Sequence, residues 1–355
     1  MNTISRIKRI CDANGISGFE DEVLLAIREE ASSLGTFTED SMRNLYLAYA
    51  GNKGNRPVIQ LDAHTDEVGF MVKCIREDGM LEFIPIGGWV TSNIPAHRVR
   101  VQNSDGLYIP GLIGSKPPHY MSESERKAAP EVSSMIIDIG SFSHEETINK
   151  YKIRVASPVV PEASCVYNEE NGLLMGKAFD CRLGCTSIID TLEALQGERL
   201  NVDLVAGFAS QEEVGCRGSI ITARTIDPDV AICFEGVPAD DTFLPSYQRQ
   251  TAVGKGPMLR HIDSKTIINP RFQRFALDIA RHCDIPVQEA VRTGGSTNAS
   301  QIHLAHRGIP TIVIGVPVRY AHTHWGISSL IDVQNAVKLG VEIIKALDAK
   351  TIAGF

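Results

Sequence analysis

The sequence of 355 residues predicts an α/β fold in which a mostly parallel sheet is sandwiched by helices and interrupted by a β-rich segment. Strands alternate with helices at the start of the chain and again from about residue 162 onward, which is typical of a parallel sheet. Between residues 69 and 161, short β-like runs are separated by glycine and proline turns, with little helical periodicity. We therefore expect a discontinuous α/β domain at 1–68 and 162–355, with an inserted β-rich domain at 69–161.

Local patterns place the elements in order along the chain. A turn at 15–20 leads into a helix whose apolar stripe ends at Leu34, where Gly35 stops it. Asn269 and Pro270 form a good cap and first turn for a helix through His282. The other predicted elements are strands at 58–63, 71–75, 98–101, 135–138, 202–209, 230–234 and 311–316, and helices at 184–195 and from about Asp332.

Composition and charge exclude several classes of function. With 43% hydrophobic and 22% charged residues, the chain has the composition of an ordinary globular protein. A formal net charge of −8 without a basic stripe argues against binding to nucleic acid or to an anionic membrane. Eight cysteines without paired short spacings favour reduced thiols. Because no signal peptide and no apolar run of about 18 residues is present, we expect a cytoplasmic location.

Four apolar runs end in side chains that can bind a metal ion. The carboxyl ends of parallel strands meet at one edge of an open sheet, so we expect these side chains to lie close together. Asp180, just before a predicted helix, could bridge two ions. Two histidines, one aspartate and two glutamates suit zinc, with cobalt or manganese as alternatives. The side chains at the strand ends are His64, the pair Glu212 and Glu213, Glu235 and His322.

The adjacent carboxylates of Glu212 and Glu213 are the most informative feature of this set. Successive side chains of a strand point to opposite faces, so we expect the two to have different roles. One can bind a metal ion while the other moves a proton, as metal-assisted hydrolysis requires. In isolation such a pair is more often a solvated acidic turn, and the prediction depends on the other ligands at the same edge.

These motifs resemble the TET-type metalloaminopeptidases, a family that includes glutamyl and deblocking aminopeptidases and members labelled endoglucanase-like. The resemblance implies a zinc-peptidase-like catalytic domain with a PDZ- or barrel-like insert between His64 and Asp180. It also implies assembly through dimers into a homo-oligomer, as large as a tetrahedral dodecamer, in which the insert at 69–161 mediates dimerisation. The motifs that carry the resemblance lie at 15–20, 63–69, 114–119, 176–180, 211–215 and 319–322.

The resemblance also implies the chemistry of the site. The reaction would be removal of the N-terminal residue from short peptides by water that two divalent ions per subunit activate. Glu212 would be the general base and acid, and Asp66 would orient the imidazole of His64. His64 and Glu235 would hold one ion, Glu213 and His322 the other, and Asp180 would bridge them.

Three residues depart from the pattern of that family. Glu235 stands where aspartate is usual, and we expect a changed metal affinity or preference. Cys181 follows Asp180 where a second aspartate is common, and we expect a buried neutral thiol there. Asn298 replaces an aspartate and so removes one negative charge near the expected site.

Several assignments stay open at the level of the sequence. His324 is a candidate pocket residue, and Lys116 and Arg319 could contact a substrate carboxylate or be structural. Cys216 and Cys233 are expected to be small buried apolar residues. A deacylase acting on a non-peptide amide would use the same metal centre. A glycosidase would need two carboxylates that are free of metal. A catalytically silent scaffold is the last alternative, and its only support is the three residues that depart from the family pattern.

Overall fold

The computed structural model describes residues 2–355 of the chain. The helices are α1 Thr3–Asp12, α2 Asp21–Glu30, α3 Glu123–Lys127, α4 His144–Asn149, α5 Phe179–Ala194, α6 Arg217–Ile226, α7 Pro270–His282, α8 Ala299–Ile302, α9 Leu330–Ala346 and α10 Ala349–Ile352. The strands are β1 Gly35–Glu39, β2 Leu45–Tyr49, β3 Val58–His64, β4 Gly69–Ile75, β5 Leu81–Ile86, β6 Arg98–Gln102, β7 Tyr108–Gly114, β8 Ile136–Asp138, β9 Pro158–Pro161, β10 Val166–Asn168, β11 Leu173–Gly176, β12 Asp203–Ala209, β13 Val230–Pro238, β14 Met258–Ile262, β15 Gln288–Val291, β16 Thr311–Val318 and β17 Gly326–Ser329.

The main sheet has eight strands in the order β1-β2-β12-β3-β13-β16-β14-β15. The four strands at its centre, β12, β3, β13 and β16, are parallel to one another. Antiparallel pairing occurs at β1–β2, β2–β12 and β14–β16. The predicted α/β fold with a mostly parallel sheet is therefore confirmed, and the antiparallel edge strands were not predicted.

The central strands are buried along almost their whole length, which explains why their sequences are unbroken apolar runs. All of β16 is buried, and so is β13 up to its last residue, because helices cover both faces of a parallel sheet. Helix α5 packs closely against β13 through Gly184, where an added Cβ would lie 2.5 Å from the carbonyl oxygen of Phe234. This close approach places the start of α5, which contains Asp180, beside the end of β13.

The segment from Gly69 to Pro161 contains a closed barrel with the strand order β4-β5-β8-β7-β6-β9. The barrel has its own apolar cluster, which includes Phe70, Val99 and Ile137 and is separate from the cluster under the main sheet. The predicted β-rich insert is confirmed in its barrel form. Its part in oligomerisation stays a prediction.

Element boundaries differ from the predictions where tertiary contacts intervene. Helix α2 ends at Glu30, and Gly35 begins strand β1 after a turn. Helix α5 begins at Phe179, but its first turn is broken because Asp180 and Cys181 have non-helical backbone angles. The cap at Asn269 is confirmed, since its Oδ1 accepts hydrogen bonds from two backbone N–H groups of α7. Within residues 2–355, the helices are all too short or too polar to cross a bilayer.

Candidate metal centre

The predicted ligands converge at the carboxyl end of the central strands. His64 is the last residue of β3 and Glu235 lies within β13, while Glu212 and Glu213 follow β12. His322 lies in the loop after β16. Because β12, β3, β13 and β16 are neighbours in the sheet, their ends meet at one edge, as predicted. All five side chains line a cavity of about 650 Å³.

Asp180 lies between the two histidines. Its Oδ1 is 3.1 Å from Nε2 of His64, and its Oδ2 is 3.5 Å from Nε2 of His322. The two oxygens of one carboxylate thus face two different imidazoles. This is the geometry that a bridging carboxylate needs.

The donor atoms form two groups that share Asp180. In the first group, Oε1 of Glu235 is 3.3 Å from Nε2 of His64, and Cys181 is close enough to belong to the same group. In the second group, Oε2 of Glu213 is 3.4 Å from Nε2 of His322. Within each group the donor atoms lie within 4.8 Å of one another. Two neighbouring cations could therefore be held with Asp180 between them.

Backbone carbonyls fix the orientation of both imidazoles. Nδ1 of His64 is 3.0 Å from the carbonyl oxygen of Asp66, and Nδ1 of His322 is 2.8 Å from that of Gly88. A carbonyl only accepts, so each Nδ1 carries a proton, and each Nε2 is the ring nitrogen that faces the cavity and would bind a metal ion after losing its own proton. Gly88 lies in the loop between β5 and β6, so the barrel segment contributes to the site. The sequence offered no signal for that contact.

The carboxylate of Asp66 organises more of the site than the sequence predicted. Its Oδ1 lies 3.3 Å from Nδ1 of His64, in keeping with the predicted orienting role. It also accepts hydrogen bonds from the backbone N–H groups of Glu212 at 2.9 Å and Glu213 at 3.1 Å. The hydroxyl of Ser17 donates to it at 2.5 Å. One buried carboxylate thus ties a histidine to the loop that carries both glutamates.

Glu212 and Glu213 lie beyond the end of the strand, so the alternation from which different roles were predicted does not apply to them. Strand β12 ends at Ala209, so the pair lies in a turn where strand alternation no longer applies, and both side chains line the cavity. Their partners nevertheless differ. Oε2 of Glu212 is 3.9 Å from Nε2 of His64, and its Oε1 accepts a hydrogen bond from Sγ of Cys216 at 3.0 Å. Cys216 is buried, as expected, but it is a hydrogen-bond donor as well as an apolar filler.

The electrostatics of the cluster show an excess of buried negative charge. Burial raises the pKa of Glu212 to about 7, raises that of Glu213 well above its ordinary value, and raises that of Glu235. Burial opposes protonation of His64, but the charge of Glu235 and the hydrogen bonds with Asp180 and Asp66 act together against it, and the pKa of His64 rises well above its ordinary value. Burial likewise opposes ionisation of Asp180, but its hydrogen bonds with His322 and His64 hold its pKa below the usual range. Protons compensate the carboxylates here, and divalent cations would do so with the same donors.

Two of the departures from the family pattern can be located. The thiol of Cys181 donates to the carbonyl oxygen of Phe234 at 3.0 Å, and burial raises its pKa well above the ordinary value, as expected of a neutral buried thiol. Asn298 is buried outside the cavity lining, and its Nδ2 donates to Oδ1 of Asp62 at 2.8 Å. The buried carboxyl group of Asp62 is thus hydrogen-bonded to a neutral amide.

The candidate pocket residues of the sequence do not line this cavity. His324 is buried against His97, with ring centroids 3.9 Å apart. Lys116 pairs with Glu125, and Arg319 pairs with Asp241. The cations that do line the cavity are Arg260, Lys265 and Arg292, none of which the sequence analysis identified.

A carboxylate shared by two imidazole–carboxylate groups, at the strand ends of an open α/β sheet, is an arrangement suited to a metal-dependent hydrolase. The chain belongs to the M42 glutamyl aminopeptidase family, whose model matches residues 44–339. It is 32% identical over 355 residues to the glutamyl aminopeptidase of Lactococcus lactis subsp. cremoris, covering 99% of both chains. It is 28% identical over 350 residues to the lysyl aminopeptidase of Pyrococcus furiosus, covering 96% of both.

Solved structures agree with this family. A TET aminopeptidase from the marine sediment archaeon Thaumarchaeota archaeon SCGC AB-539-E09 is similar with a TM-score of 0.94 and 36% identity, covering 99% of each chain. The Pyrococcus horikoshii TET1 peptidase, described as assembling into a tetrahedron or a large octahedral shell, has a TM-score of 0.86 at 26% identity, covering 98% of this chain and all of its own.

Proposed function

We propose that the protein is a metal-dependent aminopeptidase that removes the N-terminal residue of short peptides with water activated by two divalent ions, zinc first and cobalt or manganese as alternatives. The family supports the aminopeptidase activity. The observation that carries the two-ion centre is the placement of Asp180, whose two oxygens face His64 and His322 from separate donor groups.

The proposed roles follow from the contacts of each side chain. His64 and Glu235 would hold one ion, Glu213 and His322 would hold the other, and Asp180 would contribute a ligand to both. Asp66 positions His64 through Nδ1 and the glutamate pair through two backbone N–H groups. Bound there, the ions would polarise the scissile carbonyl group and lower the pKa of the attacking water.

Glu212 is the proposed general base and acid. Its Oε1 is engaged by Cys216, so its Oε2 is the oxygen left to take a proton from water and return it to the leaving amine. Replacement by glutamine keeps the shape of the side chain and removes this function.

The direct test is hydrolysis of aminoacyl p-nitroanilides by protein reconstituted with zinc, cobalt or manganese. We expect cleavage of free aminoacyl substrates and none of their N-acetyl forms, because a free α-amine would bind at the metal centre. Cleavage of the N-acetyl group itself would indicate a deacylase, and cleavage of a polysaccharide would indicate a glycosidase. Glu212→Gln is the control for contaminating peptidase: we expect turnover lower by about 10²–10⁴-fold with the metal content unchanged.

We also propose that residues 69–161 form a dimerisation domain and that the protein is a homo-oligomer in the cytoplasm, built from dimers and as large as a tetrahedral dodecamer. The likeness to a peptidase described as forming a tetrahedron or an octahedral shell supports this. Light scattering coupled to size-exclusion chromatography measures the mass directly. A mass of 38.7 kDa, that of one chain, would contradict the proposal.

A further inference from the structure

A second cavity lies beside the cavity that contains the metal cluster. Its volume is about 550 Å³, and Pro238 and Ala321 line both cavities. Ala321 directly precedes the proposed ligand His322 in the chain. Pro238 is the last residue of strand β13, which also carries the proposed ligand Glu235. The wall between the two cavities is therefore formed by residues next to the metal cluster.

The second cavity, which we call the apolar cavity, differs from the first in its chemistry. Its large side chains are apolar or aromatic: Val90, Phe243, Tyr320 and Trp325. Among the described residues that line it, none is an acid, a lysine or an arginine. Burial lowers the pKa of His97, which also lines it, so that imidazole is neutral at neutral pH. The cavity around the metal cluster, in contrast, is lined by carboxylates and by three cations.

Three of the large side chains of the apolar cavity are in contact with water. Val90 is 58% exposed, Phe243 is 66% exposed and Tyr320 is 49% exposed. Exposed apolar surface gathered around one cavity is typical of a binding site, because a bound apolar group would remove that surface from water. The apolar cavity is therefore suited to an apolar side chain of a ligand.

A peptide bound at the metal cluster would reach both cavities. An extended peptide rises about 3.3 Å per residue, and its successive side chains point in opposite directions. If the first side chain lies in the cavity around the cluster, the second points away from it while the chain continues toward solvent. The side chain of His322 is 37% exposed and marks the solvent side of the cluster, and the apolar cavity adjoins that side through Ala321.

We infer that the apolar cavity binds the side chain of the second residue of the substrate, so that the protein prefers peptides in which a large apolar residue follows the residue removed. This inference rests on the proposed aminopeptidase function. The descriptions of the relatives as glutamyl and lysyl aminopeptidases concern the first residue and leave the second open.

The test compares matched peptides on the metal-loaded protein. Two tripeptide amides are identical except for leucine or asparagine at the second position. These two side chains have nearly the same shape and differ in polarity, so the ratio of kcat/KM isolates the apolar preference. We expect the leucine peptide to exceed the asparagine peptide by about 10- to 100-fold, the effect of removing one large apolar side chain from water.

Variants of exposed residues connect this ratio to the apolar cavity without disturbing the core. Phe243→Ala removes the most exposed of its apolar side chains and should lower the leucine-to-asparagine ratio by about 3- to 10-fold. Val90→Thr keeps the shape of the side chain and adds a hydroxyl, and it should lower the ratio by about 3-fold. The matched control is Phe142→Ala, since Phe142 is 87% exposed and does not line the apolar cavity, and the ratio should not change.

Several results would overturn the inference while keeping the aminopeptidase. One is equal kcat/KM for the leucine and asparagine peptides in the wild type. Another is a ratio that Phe243→Ala and Val90→Thr both leave unchanged. If these variants altered the preference for the first residue instead, the apolar cavity would belong to that residue. If they altered the particle mass and left the ratio unchanged, it would be a contact between subunits. No cleavage of any peptide by metal-loaded protein would reject the proposed function itself, and this inference with it.

Discussion

The two halves of the metal cluster differ in how far their histidines are exposed to solvent. The side chain of His64 is 1% exposed and that of Glu235 is 5% exposed, on strands at the centre of the sheet. The side chain of His322 is 37% exposed, in a loop, whereas its partner Glu213, in a turn, is 3% exposed. We call these the buried half and the open half. The buried half is part of the core of the protein, whereas the open half is formed by loops that the barrel segment helps to hold.

The difference in exposure has separate consequences for the stability of the fold and for the exchange of metal ions. A charged side chain in the buried half has no access to water if its partner is lost, whereas the imidazole of His322 in the open half is in contact with water. An ion in the open half can be reached by water and by chelators. We therefore expect the buried half to govern stability and the open half to govern how readily metal exchanges.

Matched alanine substitutions provide the strongest test of this comparison. In metal-free protein, His64→Ala leaves Asp180 and Glu235 without their imidazole and should cost about 3–5 kcal/mol of unfolding free energy. His322→Ala should cost less, because the imidazole that it removes is 37% exposed and water can enter the space beside Glu213. Urea denaturation with chelator measures both.

The metal content of the same two alanine variants is the second measurement. By elemental analysis, His322→Ala should lose the ion of the open half and keep the fold. If that variant kept both ions, the ligand assignment would be wrong. Equal losses of stability in the two variants would contradict the distinction between the halves.

Asp66→Asn tests whether the buried half depends on its orienting carboxylate. The amide keeps the shape but weakens the hold on His64 and on the backbone N–H groups of Glu212 and Glu213. Metal affinity should fall by about 10- to 100-fold, the usual effect of losing such a partner. Competition with a chromophoric chelator measures it, and Asp12→Asn, a half-exposed carboxylate outside the cluster, is a control that should leave affinity unchanged.

The pKa shifts predict opposite pH dependence with and without metal. Glu212 and His322 both have pKa values raised in the folded state, to about 7 from 4.5 and to about 10 from 6.5. Folded metal-free protein therefore binds more protons than the unfolded chain, and its stability should fall as pH rises through these windows. Metal must displace the proton of the proposed ligand His322, so metal affinity should rise with pH below the pKa of that histidine, by about 10-fold per pH unit for each proton displaced. Thermal unfolding with chelator or with saturating zinc checks both signs, and metal-free protein that gains stability with pH would contradict the prediction.

The smallest effect is expected at Cys216. Cys216→Ala removes one hydrogen bond to Glu212 and should lower kcat by about 2- to 10-fold with little change in KM. Cys216→Ser retains a donor and should recover most of the loss. Equal kcat in the wild type and the alanine variant would show that the contact does not position the base.

The sequence predicted the strands of the central sheet well because each is a long apolar run with a clear end. It missed β1, β2 and the small sheet of β10, β11 and β17, whose short strands are ordered by pairing with distant segments. It also missed the broken first turn of α5, because the backbone at Asp180 and Cys181 depends on packing against β13.

By itself, the sequence determined which side chains can bind metal and that they lie at strand ends, because residue chemistry and apolar periodicity are local properties. Only the tertiary structure decided that Asp180 lies between two imidazoles, that Gly88 orients His322, and that Arg260 and Lys265 line the cavity. These contacts join segments far apart in the chain, and the packing of loops, which has no period in the sequence, sets their distances.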